Sequence, residues 1–353
     1  MRAAIRRAWP WLRVLLGAAI LAVLVWRLGT GAFVAGLRAA VDPLAMLAAL
    51  GIGLVTTVLS AARWQVVARR IGLTLPLGTA VADVYRATFL NTVLPGGVLG
   101  DVHRAVHHGR ESGDVGRGVR AVVLERVAGQ VMPIVVGLAV LATRPSLLAV
   151  VVPDAARGPG AALVAALVTL AAVLVGVVFA ARRGRRVAGR LRRAVSTAVA
   201  DTRAGLLSLD TWPELLLLST AALLAHLGLF LVAARTAGSD APVSQLLPLL
   251  MLALLAMSLP LNIGGWGPRE GMAAVAFAAA GLGATQGVTV AVVYGGLTFV
   301  STLPGVAVLA ARLVAPQARR LLAHRVARPR AAGLQVQFEQ HVLAHGDAAN
   351  RRA

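Results

Sequence analysis

The residues best suited to chemistry lie in two stretches where proline and paired glycines interrupt apolar sequence. In the later one, Leu259-Pro260-Leu261-Asn262-Ile263-Gly264-Gly265-Trp266-Gly267-Pro268-Arg269-Glu270-Gly271, the backbone is predicted to leave the helix inside a hydrophobic region. Such backbone must be sheltered by protein or face a water-filled cavity, because lipid offers no hydrogen bonds. Pro268 suits the first turn of a new helix. The free N–H groups and positive dipole end of that helix, together with the charge of Arg269, suit an anion such as a phosphate. Asn262, Gly264, Gly265, Trp266 and Gly267 would border it. Glu270 has three readings: it neutralises Arg269 and holds the break in shape, it pairs with Arg126 across the bundle, or it carries a proton. An ionisable residue in an apolar segment defaults to function.

The earlier stretch, Asn91-Thr92-Val93-Leu94-Pro95-Gly96-Gly97-Val98-Leu99-Gly100-Asp101 with Arg104 beyond it, offers equivalent parts. Gly96 and Gly97 permit close backbone approach, Asp101 is expected at the N-cap of the next helix, and Arg104 supplies the cation. Pairing of Asp101 with Arg104 one turn on competes with a direct role. Glu125 and Arg126 open the following apolar run; they close on each other, meet Asp101 or Arg269, or line a cavity.

Other chemistries find no residues. There is no cysteine, hence no disulfide or thiol nucleophile, and no lysine, hence no lysine-bearing phosphate loop. His103 and His107 are four apart but lack further ligands in a metal-binding pattern. Ser258 and Ser301 have no nucleophile-elbow context, and His226 is expected to be a packed or hydrogen-bonded residue of a span. No catalytic residue, metal or cofactor is therefore expected, and the chain is not expected to be an enzyme.

The elements that must position these residues are set by composition. Of 353 residues 58% are hydrophobic and 14% charged, whereas soluble domains carry about 25% charged residues. The fold class is an all-α polytopic membrane protein. Its spans are expected at 14–26, 44–62, 119–142, 161–181, 213–234 and 286–313, the last interrupted at Leu303-Pro304-Gly305. Arg63 is read as the border that closes the second span. The formal charge of +21 is carried by arginine alone, in clusters between apolar runs, with seven arginines between Arg182 and Arg193. That pattern sets orientation and attracts anionic lipid, so nucleic acid is not an expected partner.

With each proline–glycine break treated as a re-entrant hairpin, 27 arginines fall on one side, five on the other, and Arg86, Arg126 and Arg269 inside apolar segments. The arginine-rich side is the cytoplasmic one, so both termini are expected there. The result is about six full spans plus two re-entrant broken-helix hairpins, or seven or eight counted helices if a hairpin crosses. Span–hairpin–span units over 44–142 and 213–313 then run in opposite senses, an inverted-topology repeat. A shift of 165 residues lays Leu94-Pro95 on Leu259-Pro260, Gly100 on Gly265 and Arg104 on Arg269. Paired broken helices of this kind point to a transporter's binding site. Residues 1–315 are expected to form one membrane-embedded domain, and 316–353 a basic cytoplasmic tail.

At these residues the sequence resembles the flippase-like integral membrane family related to the transmembrane region of lysylphosphatidylglycerol synthase, the multiple peptide resistance factor. The resemblance rests on Asn91-Thr92-Val93-Leu94-Pro95-Gly96-Gly97 with Gly100-Asp101 and Arg104, on Glu125-Arg126 with Gly129, and on Gly264-Gly265-Trp266-Gly267-Pro268-Arg269-Glu270-Gly271. It implies a stand-alone member, without the synthase domain, in a bacterial cytoplasmic membrane, moving an anionic or lipid-linked head group between leaflets. Membrane lipids are the expected partners, with a homo-oligomer or a lipid-pathway protein as further ones. A small-anion carrier and a non-catalytic subunit of a lipid or glycan assembly system are the rival readings.

Overall fold

The structure is a computed structural model that describes residues 15, 17–94, 97–144, 210–257 and 266–312. The expected span over 161–181, the Arg182–Arg193 block, the tail from 316, and the candidate site residues Gly96, Asn262, Gly264 and Gly265 lie outside the described residues. Residues up to Gly305 form one compact unit, and Val306 begins a second.

Ten helices carry the described residues: α1 Gly17–Leu28, α2 Gly31–Ala39, α3 Pro43–Arg70, α4 Leu77–Val93, α5 Leu99–Glu111, α6 Val115–Thr143, α7 Trp212–Thr236, α8 Val243–Met257, α9 Pro268–Ala279 and α10 Ala284–Thr302. Four helices are long and apolar enough to cross a membrane: Pro43–Arg70, Val115–Thr143, Trp212–Thr236 and Ala284–Arg312. They coincide with four of the expected spans. The first expected span is α1, which continues into α2 through a 105° bend.

Local chemistry explains the boundaries. Asp42 caps α3 by accepting from Ala45 N at 2.7 Å, with Pro43 in the first turn. Asp114 caps α6 in the same way through Arg117 N at 2.8 Å. α4 ends where Leu94 turns extended (ψ 140°), the conformation a following proline imposes. The chain then reverses through Gly97 at φ +62°. α5 starts at Leu99 with Val98 as its N-cap, so Asp101 is not the cap the sequence suggested; it sits inside the first turn. The capping task falls to Asn91 on the last turn of α4, whose Oδ1 accepts from Gly100 N at 2.8 Å.

Within the first group of helices, α3 packs on α4, α4 on α5, α5 on α6, and α6 closes back on α3. Within the second, α7 packs on α8, α8 on α9, α9 on α10, and α10 closes back on α7. Between the groups α3 meets α7, α3 meets α10, α7 meets α6, α6 meets α8 and α10 meets α4. The larger apolar core, with Phe230 stacked on Tyr294 at 4.1 Å, joins α7–α10 to α3. A second core, centred on Trp64, Val67 and Leu124, lies at the other end of α3.

Candidate functional site

Between these cores, α3, α5 and α6 bring together five charged side chains. Glu125 is the hub: its Oε1 accepts from Arg63 Nη2 at 2.6 Å and Nε at 3.1 Å, and its Oε2 from Arg104 Nη2 at 2.7 Å. Asp101 is a second hub, accepting at Oδ1 from Arg104 Nε at 2.9 Å and at Oδ2 from Arg126 Nη2 at 2.5 Å and Asn91 Nδ2 at 2.8 Å. Arg63, Arg104, Asp101 and Glu125 are buried, whereas half of the Arg126 side chain is exposed. Three guanidiniums against two carboxylates leave the cluster with a net charge of +1. Charge this deep persists only when paired and hydrogen-bonded.

Packing fixes the cluster. Arg104 lies over the Trp64 ring at 4.6 Å from its centroid. A Cβ at Gly129 would come within 2.7 Å of Arg63 Nη2, so glycine there admits the guanidinium to Glu125. At Gly100 a Cβ would lie 2.1 Å from the Ala87 carbonyl oxygen, so glycine lets α5 approach α4 closely enough for Asn91 to reach Asp101.

The cluster lines one part of a cavity of ≈ 250 Å³ bounded by α3, α4, α5, α6, α7 and α8. Thr56, Ser60, Thr88, Gln130, Ser219 and His226 add neutral polar groups, and Leu223, Leu254 and Met257 an apolar wall. Arg104 Nη1 is buried without a hydrogen-bond partner among the described residues. A buried donor left open in this way is an unfilled position for an acceptor. On α6, Glu125, Gly129 and Pro133 line the cavity, while Val119, Val123 and Val127 form an exposed stripe at helical spacing. At 100° per residue Arg126 falls between the two faces. The cation therefore stands where the cavity meets the apolar outer surface.

The second break is built differently. Gly267, at φ +110°, turns the chain into α9, with Pro268 in the first turn as the sequence predicts. Arg269 donates to Glu270 Oε1 through both Nε and Nη2, and Glu270 Oε2 accepts from Gly267 N at 2.7 Å. Both side chains are buried, and Arg269 is held between the Trp266 and Tyr294 rings at 5.1 and 5.2 Å. Glu270 thus neutralises Arg269 and occupies the helix start at once. Neither residue lines the cavity; Arg269 Nη1 lies 3.9 Å from the sulfur of Met257, a cavity-wall residue.

Of the sequence-predicted residues, Asn91, Asp101, Arg104, Glu125 and Arg126 are gathered in one network, Arg269 and Glu270 form a separate pair with Trp266 and Gly267, and Gly97 shapes the first turn. Arg63 was missed as a site residue. Read as the end of a span, it lies seven residues inside α3 and faces Glu125. The available signal was the glycine at 129, one helical turn beyond Glu125. His226 is hydrogen-bonded as expected, to the Ala222 carbonyl at 2.7 Å, and also borders the cavity.

Apolar helices long enough to cross a bilayer, enclosing ion-paired arginines and a polar cavity, define an all-α polytopic membrane protein. Residues 11–305 match the family described as the lysylphosphatidylglycerol synthase TM region, and the chain belongs to that family. No curated protein and no solved structure matches the chain.

Proposed function

We propose that this protein is a lipid transporter of a bacterial cytoplasmic membrane. It would move an anionic or lipid-linked head group through the α3–α8 cavity without covalent chemistry. The observation that carries the reading is the net positive cluster with the open Arg104 Nη1, set beside the half-exposed Arg126 at the cavity mouth. A phosphodiester would meet Arg126 first and Arg104 further in, while its tails stay along the valine stripe of α6. That lateral opening favours a lipid over a small soluble anion, which would need no apolar flank.

The packing order supports an inverted repeat as the framework. Exchanging α3–α6 with α7–α10 in sequence turns each packed helix pair among these eight into another packed pair. Two such units in opposite senses provide the alternating arrangements that transport requires. In this reading the arginine-rich side and both termini are cytoplasmic.

The test is reconstitution of the full chain in liposomes holding chain-labelled phosphatidylglycerol, with transfer between leaflets followed by quenching. Wild-type protein is expected to accelerate transfer, and Arg126→Gln to slow it by about tenfold, the worth of a charge-assisted hydrogen bond. Because Arg126 is half-exposed, that variant keeps the fold. Transfer unchanged in Arg126→Gln would refute the site. Uptake of a soluble anion without lipid transfer would favour the carrier reading, and indifference in both assays with a stoichiometric partner would favour the assembly-subunit reading.

A further inference from the structure

The neutral part of the cavity lining bears on the rest of the head group. Four neutral side chains of that lining donate to backbone carbonyls: Thr56 to Gly53 at 3.0 Å, Thr88 to Val84 at 2.7 Å, Ser219 to Ala128 at 3.5 Å and His226 Nδ1 to Ala222 at 2.7 Å. A hydroxyl has a single hydrogen, so each of these three oxygens has only lone pairs left to offer. In a neutral imidazole that donates through Nδ1, Nε2 is an acceptor. Gln130 Oε1 is buried with no hydrogen-bond partner among the described residues, a further acceptor without a donor. The neutral lining therefore offers acceptors at Thr56, Thr88, Ser219, His226 and Gln130, and the cationic cluster offers donors.

The charges narrow which donors fit. All four carboxylate oxygens of Glu125 and Asp101 already accept from arginine. The cluster's net +1 opposes a second cation in a low-dielectric site. A phosphodiester brings the sum to zero; an added ammonium returns it to +1.

We propose, on the basis of the transport reading above, that the cavity selects an anionic lipid whose head group bears neutral hydroxyl donors, a polyol or sugar phosphate. Gln130 Oε1 and His226 Nε2 are the specificity-determining acceptors. Zwitterionic lipids are rejected by charge, and anionic lipids without head-group donors are bound more weakly because they leave those acceptors unpaired.

The test is competition against labelled phosphatidylglycerol on the purified full-length chain. The competitors are phosphatidylglycerol, phosphatidylethanol, which is anionic but has no donor, and phosphatidylethanolamine, which carries an ammonium. Phosphatidylglycerol is expected to compete about five- to tenfold better than phosphatidylethanol, the worth of one or two neutral hydrogen bonds, and phosphatidylethanolamine to be the weakest. Gln130→Met and His226→Phe, separately and together, are expected to bring the ratio of phosphatidylglycerol to phosphatidylethanol toward one. Equal competition by those two lipids in the wild type, or a preference that survives in both single variants, would overturn the inference. If both lipids bind equally but lose affinity in Arg126→Gln, only the hydroxyl selection fails. If no binding depends on Arg126, the head-group site itself fails.

Discussion

Replacing Glu125 by glutamine tests whether the five charges act as one network. The carboxylate holds two buried guanidiniums through three hydrogen bonds, to Arg63 at 2.6 and 3.1 Å and to Arg104 at 2.7 Å. Glutamine keeps the shape and one carbonyl acceptor but removes the charge, so the cluster rises from +1 to +2. Breaking a buried pair by neutralising one partner costs about 3–5 kcal/mol, because the other charge is left uncompensated. The retained acceptor places Glu125→Gln near the lower end, about 3 kcal/mol, which lowers Tm by roughly 5–10 °C. The exposed pair Arg69–Glu214, at 3.4 Å with side chains 64% and 50% exposed, provides the internal comparison. Glu214→Gln removes the same charge type where solvent screens it, and is expected to cost under about 1 kcal/mol. Unfolding of the purified full-length chain in one detergent, followed by intrinsic fluorescence against temperature, compares the two variants directly. A Tm for Glu125→Gln within the range of Glu214→Gln would refute the claim that Glu125 organises the site.

Two further substitutions separate close packing from the second break. Gly100→Ala places a methyl 2.1 Å from the Ala87 carbonyl and is expected to destabilise the chain by about 1–3 kcal/mol, with loss of Arg126-dependent lipid binding as Asn91 and Asp101 part; Gly51→Ala, mid-helix with nothing within 4 Å, serves as control and should be neutral or stabilising in the same thermal assay. Arg269→Met strands the fully buried Glu270 and is expected to cost about 3–5 kcal/mol, whereas adding Glu270→Gln, which still accepts from Gly267 N, should recover much of that loss. A single variant as stable as the double would show that the pair does not hold the break.

The sequence made several features legible because they depend on neighbouring residues alone. Span positions follow from runs of apolar side chains, and the structure places helices on 44–62, 119–142, 213–234 and, of the expected 286–313, on the described residues to Arg312. The break after α4 follows from Pro95, which forces Leu94 out of the helix. Pro268 marks the start of α9 for the same kind of reason. The residue types of the site were legible too, since charge in an apolar segment stands out against its transfer cost. Asp101 shows the limit of such reasoning. A carboxylate after a glycine reads as an N-cap, yet Val98 stands at that position and the Gly100 N–H is met by Asn91 of the preceding helix, nine residues back.

The local sequence is enough to establish an all-α membrane protein, the helix end at Leu94, the helix start at Pro268, and which charged residues are costly to bury. How those charges divide depends on which helices pack together. Arg63, which looked like the end of a span, joins Glu125 across 62 residues, while Arg269, which looked like the central cation, is neutralised by the adjacent Glu270. The physical reason is that burial cost is a property of one side chain and its local segment. Ion pairing depends on which helices pack together, and here on the glycines at 100 and 129 that let α4, α5, α6 and α3 approach.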